Sequence, residues 1–196
     1  ALGEVFEENR AAETLRAAVQ TSGYNTPKPD PSSGLLYGRA VAVGERSPGG
    51  GQNNAQVTLN ADGTVSLQTP LFDQGTGAVT VLQQIVAESM GLPAERVLVE
   101  VMETGLFEMD SGIGGSRGTR IVTGSAYKVA QEAKQELFGL AAEVLGWPEE
   151  TVTVEGDDIV RRDTGERQRW DALLARVGRP IARRVVNNDA ERATVT

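Results

Sequence analysis

The sequence predicts an α+β fold in which a two-layer domain carries its helices on one face of a mixed sheet. Along the chain, the apolar period changes repeatedly between two residues and 3.6 residues, which indicates strands and helices in one domain. The strand patterns occur in pairs between the helical patterns, so they do not form a regular array of strand–helix–strand units. A content of 23 glycines in 196 residues is typical of a domain rich in loops.

The first segment, residues 1–34, is predicted to hold an N-terminal helix and a connector. Apolar residues at helical spacing predict the helix over residues 4–20. The stretch that follows, TSGYNTPKPDPSSG at residues 21–34, is rich in Pro, Gly and Ser, which predicts an irregular connector.

The second segment, residues 35–146, is predicted to form the core. Valine and leucine alternate on both sides of Asp62-Gly63, which is a strong signal for a β-hairpin. Leu82, Val86 and Met90 then share one helical face. The elements predicted in order are a strand at 35–43, a mobile glycine-rich loop at 47–55, the hairpin, a helix ending before Gly91, a buried strand at 96–103 and a helix at 123–147.

The third segment, residues 147–196, is predicted to be a small tail packed on the core. Its pattern consists of a short hairpin within residues 151–170, a short helix at 170–177 and a strand at 181–186.

Composition excludes several classes of function. The formal net charge of −8 gives the chain no general attraction for nucleic acid or for anionic membranes, so neither is expected as a partner. The chain contains no Cys and no His, which excludes disulfides, thiolate and imidazole metal ligands and a cysteine nucleophile. Without a long apolar run or a signal segment, we expect a cytoplasmic protein.

Two glycine-rich loops, each between a strand and a helix, are the candidate site. They are DQGTGAVT at residues 73–80 and GIGGSRGT at residues 112–119. Glycines let successive backbone N–H groups point one way, and a helix start adds partial positive charge, so such loops bind anions. Ser116 adds a hydroxyl and Arg117 a planar guanidinium. If both loops follow strands of one sheet, their tips are expected at the same sheet edge, on one ligand.

Simpler interpretations of these loops stay open. A single glycine-rich loop without a signature is more often a plain turn or a crossing point. In the second loop, Ser116 would then be a helix N-cap and Arg117 a surface charge. The standard nucleotide motifs do not fit, because no Gly-Lys pair forms a P-loop and neither loop completes the G-x-G-x-x-G pattern.

In the order of its motifs, the chain resembles the molybdopterin-binding subunit of the xanthine dehydrogenase and aldehyde oxidase family, which includes molybdenum carbon monoxide dehydrogenases. Residues 62–133 carry the resemblance: an Asp-Gly hairpin, an acidic residue followed by a Gly-x-Gly loop, a helix ending in Gly-x-Pro, a strand, and a Gly-Ser-Arg loop opening a helix. Residues 35–146 fit the family pattern. The resemblance therefore implies a molybdenum-cofactor-binding-domain-like fold.

The resemblance assigns both loops to the pterin dithiolene and its phosphate tail. The residues at matching positions are Gln74, Gly75, Thr76, Gly115, Ser116, Arg117 and Gly118. One position departs from the family pattern, because the family usually has Gln where this chain has Thr76. No segment matches the Gly-x-Gly-Glu that holds the family's catalytic glutamate, so we expect no catalytic residue and no protein metal ligand in this chain.

The family implies a molybdenum-dependent hydroxylase or dehydrogenase that oxidises aldehydes, N-heteroaromatics or related small molecules. The implied cofactor is molybdenum–molybdopterin, with a dinucleotide form left open, and it is shared with a domain outside this chain. The implied partners are the rest of the molybdenum subunit and iron–sulfur and flavin subunits or domains; a chain without Cys cannot hold an iron–sulfur cluster. On this interpretation the chain is a fragment that is inactive in isolation and that shares its cofactor with a part of the subunit outside this chain.

Two non-enzymatic hypotheses remain as alternatives. The same fold could serve as an anion- or nucleotide-binding module without catalysis, or as a domain at a subunit interface.

Overall fold

A computed structural model describes residues 10–30, 32, 34, 36–44, 49–103, 105–107, 110 and 112–188. The chain divides into two compact units, Ala1–Arg46 and Ser47–Thr196. The three-part division predicted from the sequence stays a prediction.

Among the described residues of the first unit, α1 (Ala11–Thr21) is the α-helix, and the chain that follows it is irregular. The predicted helix is confirmed from Ala11 onward, and residues 4–9 lie outside the described ranges. The Arg39 guanidinium donates hydrogen bonds to the backbone carbonyls of Gly23 and Thr26, at 2.7 and 2.9 Å. These bonds tie the later part of the unit to the end of α1.

The strand predicted at residues 35–43 is wrong within the described residues. Residues 36–44 form no strand, and the side chain of Leu36 is 99% exposed. An alternating apolar pattern becomes a strand only where a partner strand and a buried face are available, and neither exists here among the described residues.

The second unit contains the remaining elements. In chain order they are β1 (Gln52–Leu59), β2 (Val65–Thr69), α2 (Ala78–Met90), β3 (Val97–Val101), α3 (Gly118–Leu145), β4 (Val152–Glu155), β5 (Asp158–Arg161), β6 (Arg167–Arg169), α4 (Trp170–Val177) and β7 (Ile181–Asn188).

A mixed four-stranded sheet, in the order β3-β2-β1-β7, is the centre of this unit. β1 runs antiparallel to both of its neighbours, and β2 pairs with β3 in parallel. Alternate residues of β1 and β2 are fully buried beneath α2 and α3: Ala55, Val57, Leu59, Val65 and Leu67. The predicted fold class, a mixed sheet with helices on one face, is therefore confirmed.

The opposite face of the sheet is polar. The Gln56 side-chain amide donates to Gln68 at 3.0 Å, and the Gln68 amide donates to Glu100 at 3.1 Å. This row of hydrogen bonds crosses three strands, which satisfies side chains that point away from the apolar core.

β1 and β3 differ from the sequence predictions. β1 begins at Gln52, inside the segment predicted to be a mobile loop, because β7 pairs with it from Gln52–Asn188 to Leu59–Ile181. β3 is an edge strand and not a buried one, with Leu98 49% and Val101 56% exposed. Its apolar composition alone cannot distinguish the centre of a sheet from its edge.

α3 is the long helix expected from the sequence, with bounds shifted toward the N-terminus. It begins at Gly118 and ends at Leu145, where Gly146 takes a left-handed φ of 70°. The predicted apolar stripe is confirmed, because Val129, Ala133 and Leu137 are fully buried. Within the described ranges, no helix combines the length and apolar character that crossing a bilayer requires.

The predicted hairpin in the third segment is confirmed and extended by one strand. β4, β5 and β6 form an antiparallel sheet, and Val152, Ile159 and Trp170 belong to the same buried cluster as the central sheet. At the junction, the Arg96 guanidinium donates to both carboxylate oxygens of Asp157 at 2.9 Å.

The carboxylate of Asp73 binds backbone N–H groups at and before the start of α2. Its Oδ1 accepts the backbone N–H groups of Gly75, Thr76 and Gly77 at 2.9, 2.9 and 3.2 Å, and its Oδ2 accepts that of Val79 at 3.3 Å. Desolvation acts to raise the pKa of the Asp73 carboxyl, but the four N–H donors outweigh it and lower that pKa. The carboxylate thus satisfies donors that a helix start otherwise leaves open.

We expect the Asp73 charge to stabilise the fold in a pH-dependent manner. Because its pKa is lowered on folding, its contribution is present above the unfolded pKa and is lost as the pH falls through the folded value. In thermal melts of the purified chain, Asp73→Asn should lower the midpoint at pH 7. The difference from wild type should shrink below about pH 4, the ordinary aspartate range. A difference that stays constant down to pH 3 would show that the charge plays no part.

The buried stripe of α3 allows a second stability test. Leu137→Ala leaves a cavity beneath the sheet and should lower the free energy of unfolding by about 2–5 kcal/mol. Tyr127→Ala, on the same helix at a side chain 56% exposed, should change it by no more than about 0.5 kcal/mol. Urea denaturation of both variants measures this difference, and equal losses would contradict the packing described here.

Candidate functional site

The parallel pairing of β2 and β3 brings the two glycine-rich loops to one edge of the sheet. Thr69 pairs with Val101 at the ends of the two strands, and the Met102 N–H donates to the Thr69 carbonyl at 3.1 Å. A Cβ placed on Gly118 would lie 3.8 Å from Cδ1 of Leu71. The prediction that both loops lie at the same edge is confirmed, and we call this edge the loop edge.

A third glycine-rich segment, missed as part of the site, reaches the same edge. β1 is antiparallel to β2, with Gln56 opposite Gln68, so its first residues extend past the end of β2. The chain before them, Gly49–Gly51, therefore arrives beside the second loop. The run of three glycines was visible in the sequence, but its neighbour was not.

The first loop does not offer the expected open anion cradle. Gln74, Gly75 and Thr76 are all exposed, but the N–H groups of Gly75 and Thr76 are turned onto the chain's own Asp73 carboxylate. The Thr76 hydroxyl also donates to Asp73, at 3.4 Å. The loop can still present side chains to a ligand, and its assignment to a cofactor stays a prediction.

The second loop adopts an unusual backbone conformation. Gly115 has a φ of 72°, and Ser116 has a φ of 60°, the one positive φ at a non-glycine residue in the described chain. A non-glycine residue in this region is uncommon and persists where its surroundings enforce it. The structure does not support the interpretation of Ser116 as the N-cap of α3. The N-cap position is occupied by Arg117, whose side chain makes no capping hydrogen bond.

Arg117 lies beneath the second loop, with a side chain only 6% exposed. One guanidinium nitrogen donates to the Gln52 carbonyl at 2.7 Å. The interpretation of Arg117 as a surface charge is therefore wrong. Its assignment to the cofactor, like those of Gly115, Ser116 and Gly118, stays a prediction.

A buried polar pair fixes α3 to β1 behind the loop edge. The Asn53 side-chain amide donates to the Ser125 hydroxyl at 3.2 Å, and Ser125 is fully buried. On the next strand, the Asn187 side-chain nitrogen lies 3.1 Å from the position of a Cβ on Gly124. Composition offered no signal for this contact, because Gln52-Asn53-Asn54 resembles a polar loop.

The electrostatics of the loop edge are asymmetric. The second loop meets the start of α3, a helix of 28 residues with no acidic residue in its first turn. Its positive dipole end and the guanidinium groups of Arg117 and Arg120 favour an anion there. Each loop has one carboxylate beside it: Asp110 accepts the Gly112 N–H at the beginning of the second loop, at 2.8 Å. Asp73, in contrast, bonds the N–H of Val79 at the start of α2 itself. An anionic group therefore fits the second loop better than the first.

The donor set at this edge does not by itself hold a metal ion. In the part of the chain that the structure describes, no group of three or more His, Cys, Asp or Glu side chains is arranged to bind one.

Comparison with known proteins identifies the family of this chain. Residues 18–191 match the family model described as the molybdopterin cofactor-binding domain. The chain is 30% identical over 156 residues to the aldehyde oxidoreductase molybdenum-binding subunit PaoC of Escherichia coli (strain K12), covering 77% of this chain and 21% of that protein. It is 31% identical over 103 residues to the nicotine 6-hydroxylase large subunit of Paenarthrobacter nicotinovorans, covering 53% of this chain and 13% of that protein.

Among solved structures, quinoline 2-oxidoreductase from Pseudomonas putida 86 has a similar fold, with a TM-score of 0.61 and 22% sequence identity. The match covers 70% of this chain and 19% of that one. The matches thus span 13–21% of the length of these proteins. Since the family model covers most of its residues, the chain belongs to the molybdopterin cofactor-binding domain family.

Proposed function

We propose that this chain is the cofactor-binding part of the molybdenum subunit of a hydroxylase or dehydrogenase, and that the cofactor lies along the loop edge. The observation that carries the proposal is the convergence of two glycine-rich loops at one edge, one of them at the positive start of α3. Membership of the molybdopterin cofactor-binding domain family identifies the class of ligand.

The anionic tail of the cofactor is best accommodated by the second loop. There Gly115, Ser116 and Gly118 would contribute backbone N–H groups and one hydroxyl, close to the positive end of the helix dipole. Gln74 and Thr76 would border the cofactor from the first loop. Because the Gly75 N–H is already bonded to Asp73, Gly75 would shape this border and not bind the ligand.

When bound, the cofactor supplies a molybdenum centre for hydroxylation at carbon, with oxygen from water. The residues of this chain bind and orient it, and the catalytic base belongs to another part of the protein. The family usually has Gln at the position of Thr76. The Thr76 side chain is shorter and offers one hydroxyl in place of an amide, so it would reach less far toward the cofactor.

The similar proteins support a class of substrate. An aldehyde or an N-heteroaromatic ring is the proposed substrate, supported by the aldehyde oxidoreductase and nicotine hydroxylase subunits that the chain resembles. The proposed partners are the rest of the molybdenum subunit and iron–sulfur and flavin domains or subunits in the cytoplasm. The pterin carries either a simple phosphate or a nucleotide, which chemical analysis of the released cofactor distinguishes.

A second candidate function is a binding module that has lost the cofactor. The observation that favours it is the first loop, where the Asp73 carboxylate occupies the N–H groups that an external anion would need. Stoichiometric molybdenum in the assembled protein would exclude this alternative.

Ser116 provides the test of the proposed site. In the complete molybdenum subunit, purified with its partner subunits, Ser116→Asp places a negative charge at the start of α3. It should lower molybdenum and released pterin by about tenfold or more, since a like charge nearby costs on the order of 1.4 kcal/mol or more. Elemental analysis and fluorescence of the oxidised pterin measure both.

Ser116→Gly is the matched control. Glycine adopts the positive φ of this position without strain, so this variant should fold at least as stably as wild type. It loses one hydroxyl but adds no charge, so it should lose much less cofactor than Ser116→Asp does. If Ser116→Asp retains the full cofactor content, the tail does not lie at the start of α3. If the wild-type complex holds no molybdenum, the non-catalytic module is the correct function.

A further inference from the structure

The segment Gly49–Gln52 packs against the second loop, backbone to backbone. The Gly49 N–H donates to the Gly115 carbonyl at 2.6 Å. A Cβ added to Gly49 would overlap the backbone oxygen of Gly114, lying closer than real Cβ atoms come to any such atom. Because the obstructing atom belongs to the backbone, it cannot move aside as a flexible side chain would. Glycine is therefore required at position 49 by this contact.

Two arginines at the start of α3 also bind the same segment. Arg117 donates to the carbonyl of Gln52 at 2.7 Å, and Arg120 donates to the carbonyl of Gly49. Residues three apart lie on one side of a helix, so these two side chains reach two carbonyls of the same extended segment. Together with the Gly49–Gly115 bond, they form what we call the Gly49 clasp.

We infer that the Gly49 clasp holds the second loop in its binding conformation, and that Arg117 is a positioning residue that acts through the clasp. The loop needs such a constraint, because Ser116 has a left-handed φ that a non-glycine residue does not hold unaided. The Arg117 side chain is buried, and its guanidinium is hydrogen-bonded to the Gln52 carbonyl, so it stabilises the contact between the loop and the segment before β1. The consequence for the cofactor rests on the proposed function above.

The carbonyls of the clasp also explain how two cations are tolerated at a helix start. Positive side chains are unfavourable beside the positive end of a helix dipole. The carbonyl oxygens of Gly49 and Gln52 place partial negative charge against both guanidinium groups, which offsets part of this repulsion.

Adjacent glycines give a matched pair of variants. Gly49→Ala places a Cβ against the Gly114 carbonyl, whereas a Cβ at Gly50 meets no atom within 4 Å, and neither residue has a positive φ. In the complete subunit prepared without cofactor, Gly49→Ala should raise amide hydrogen exchange over residues 112–119 by about tenfold or more, while Gly50→Ala leaves it unchanged. After assembly with cofactor, Gly49→Ala should also hold less molybdenum than Gly50→Ala.

Arginine variants distinguish a positioning role of Arg117 from a role in which its charge contacts the cofactor. Lysine keeps the charge of Arg117 but loses its planar fork, so Arg117→Lys should raise exchange in the loop as Arg117→Ala does. Arg120→Ala removes one clasp bond without adding bulk, which keeps the test valid if Gly49→Ala fails to fold. If Arg117→Lys leaves both exchange and molybdenum at wild-type levels, Arg117 acts by charge and the positioning role is wrong.

The outcomes also separate this inference from the proposed function. Unchanged loop exchange in Gly49→Ala and in Arg120→Ala overturns the clasp, whatever the molybdenum content. Raised exchange with undiminished molybdenum overturns the link between the clasp and the cofactor. Raised exchange together with a wild-type complex that contains no molybdenum overturns the proposed function and leaves the mechanical role of the clasp intact.

Discussion

The parallel pairing of β2 with β3 is the constraint on which the loop edge depends. Two parallel neighbours cannot be joined by a tight turn, so the chain crosses back through α2 and both strands end on the same side. Each strand end then leads into a glycine-rich loop and a helix. Antiparallel pairing would have placed these loops at opposite ends of the sheet. The parallel direction of these two strands therefore brings both loops to one edge of the sheet.

Local signals in the sequence were sufficient for much of this arrangement. The Asp62-Gly63 turn and its alternating flanks predicted the hairpin of β1 and β2, and the helical period predicted α2 and α3. Each of these signals acts over a few neighbouring residues, where turn chemistry and periodicity dominate. The order of strands and helices was also enough to place both loops at one edge.

Features that depend on distant partners were not accessible from the sequence. β1 extends to Gln52 because β7, near the other end of the chain, pairs with it. Arg117 is buried because Gly49–Gln52 lies over it, a contact that no spacing rule encodes. In the first loop, the pattern of an acidic residue before Gly-x-Gly predicted N–H groups for a ligand. It could not show that Asp73 would bind those groups itself.

The length of α3 links the loop edge to the far side of the unit. A straight helix of 28 residues extends about 42 Å, from the second loop to the neighbourhood of the second sheet. Just past its far end, Trp147 belongs to the buried cluster that also holds the core of the second sheet. The helix is packed along this length, so its two ends belong to one cooperative folding unit. Substitutions that disturb the packing of Trp147 would thus lower the fraction of folded, binding-competent protein without contacting any ligand atom.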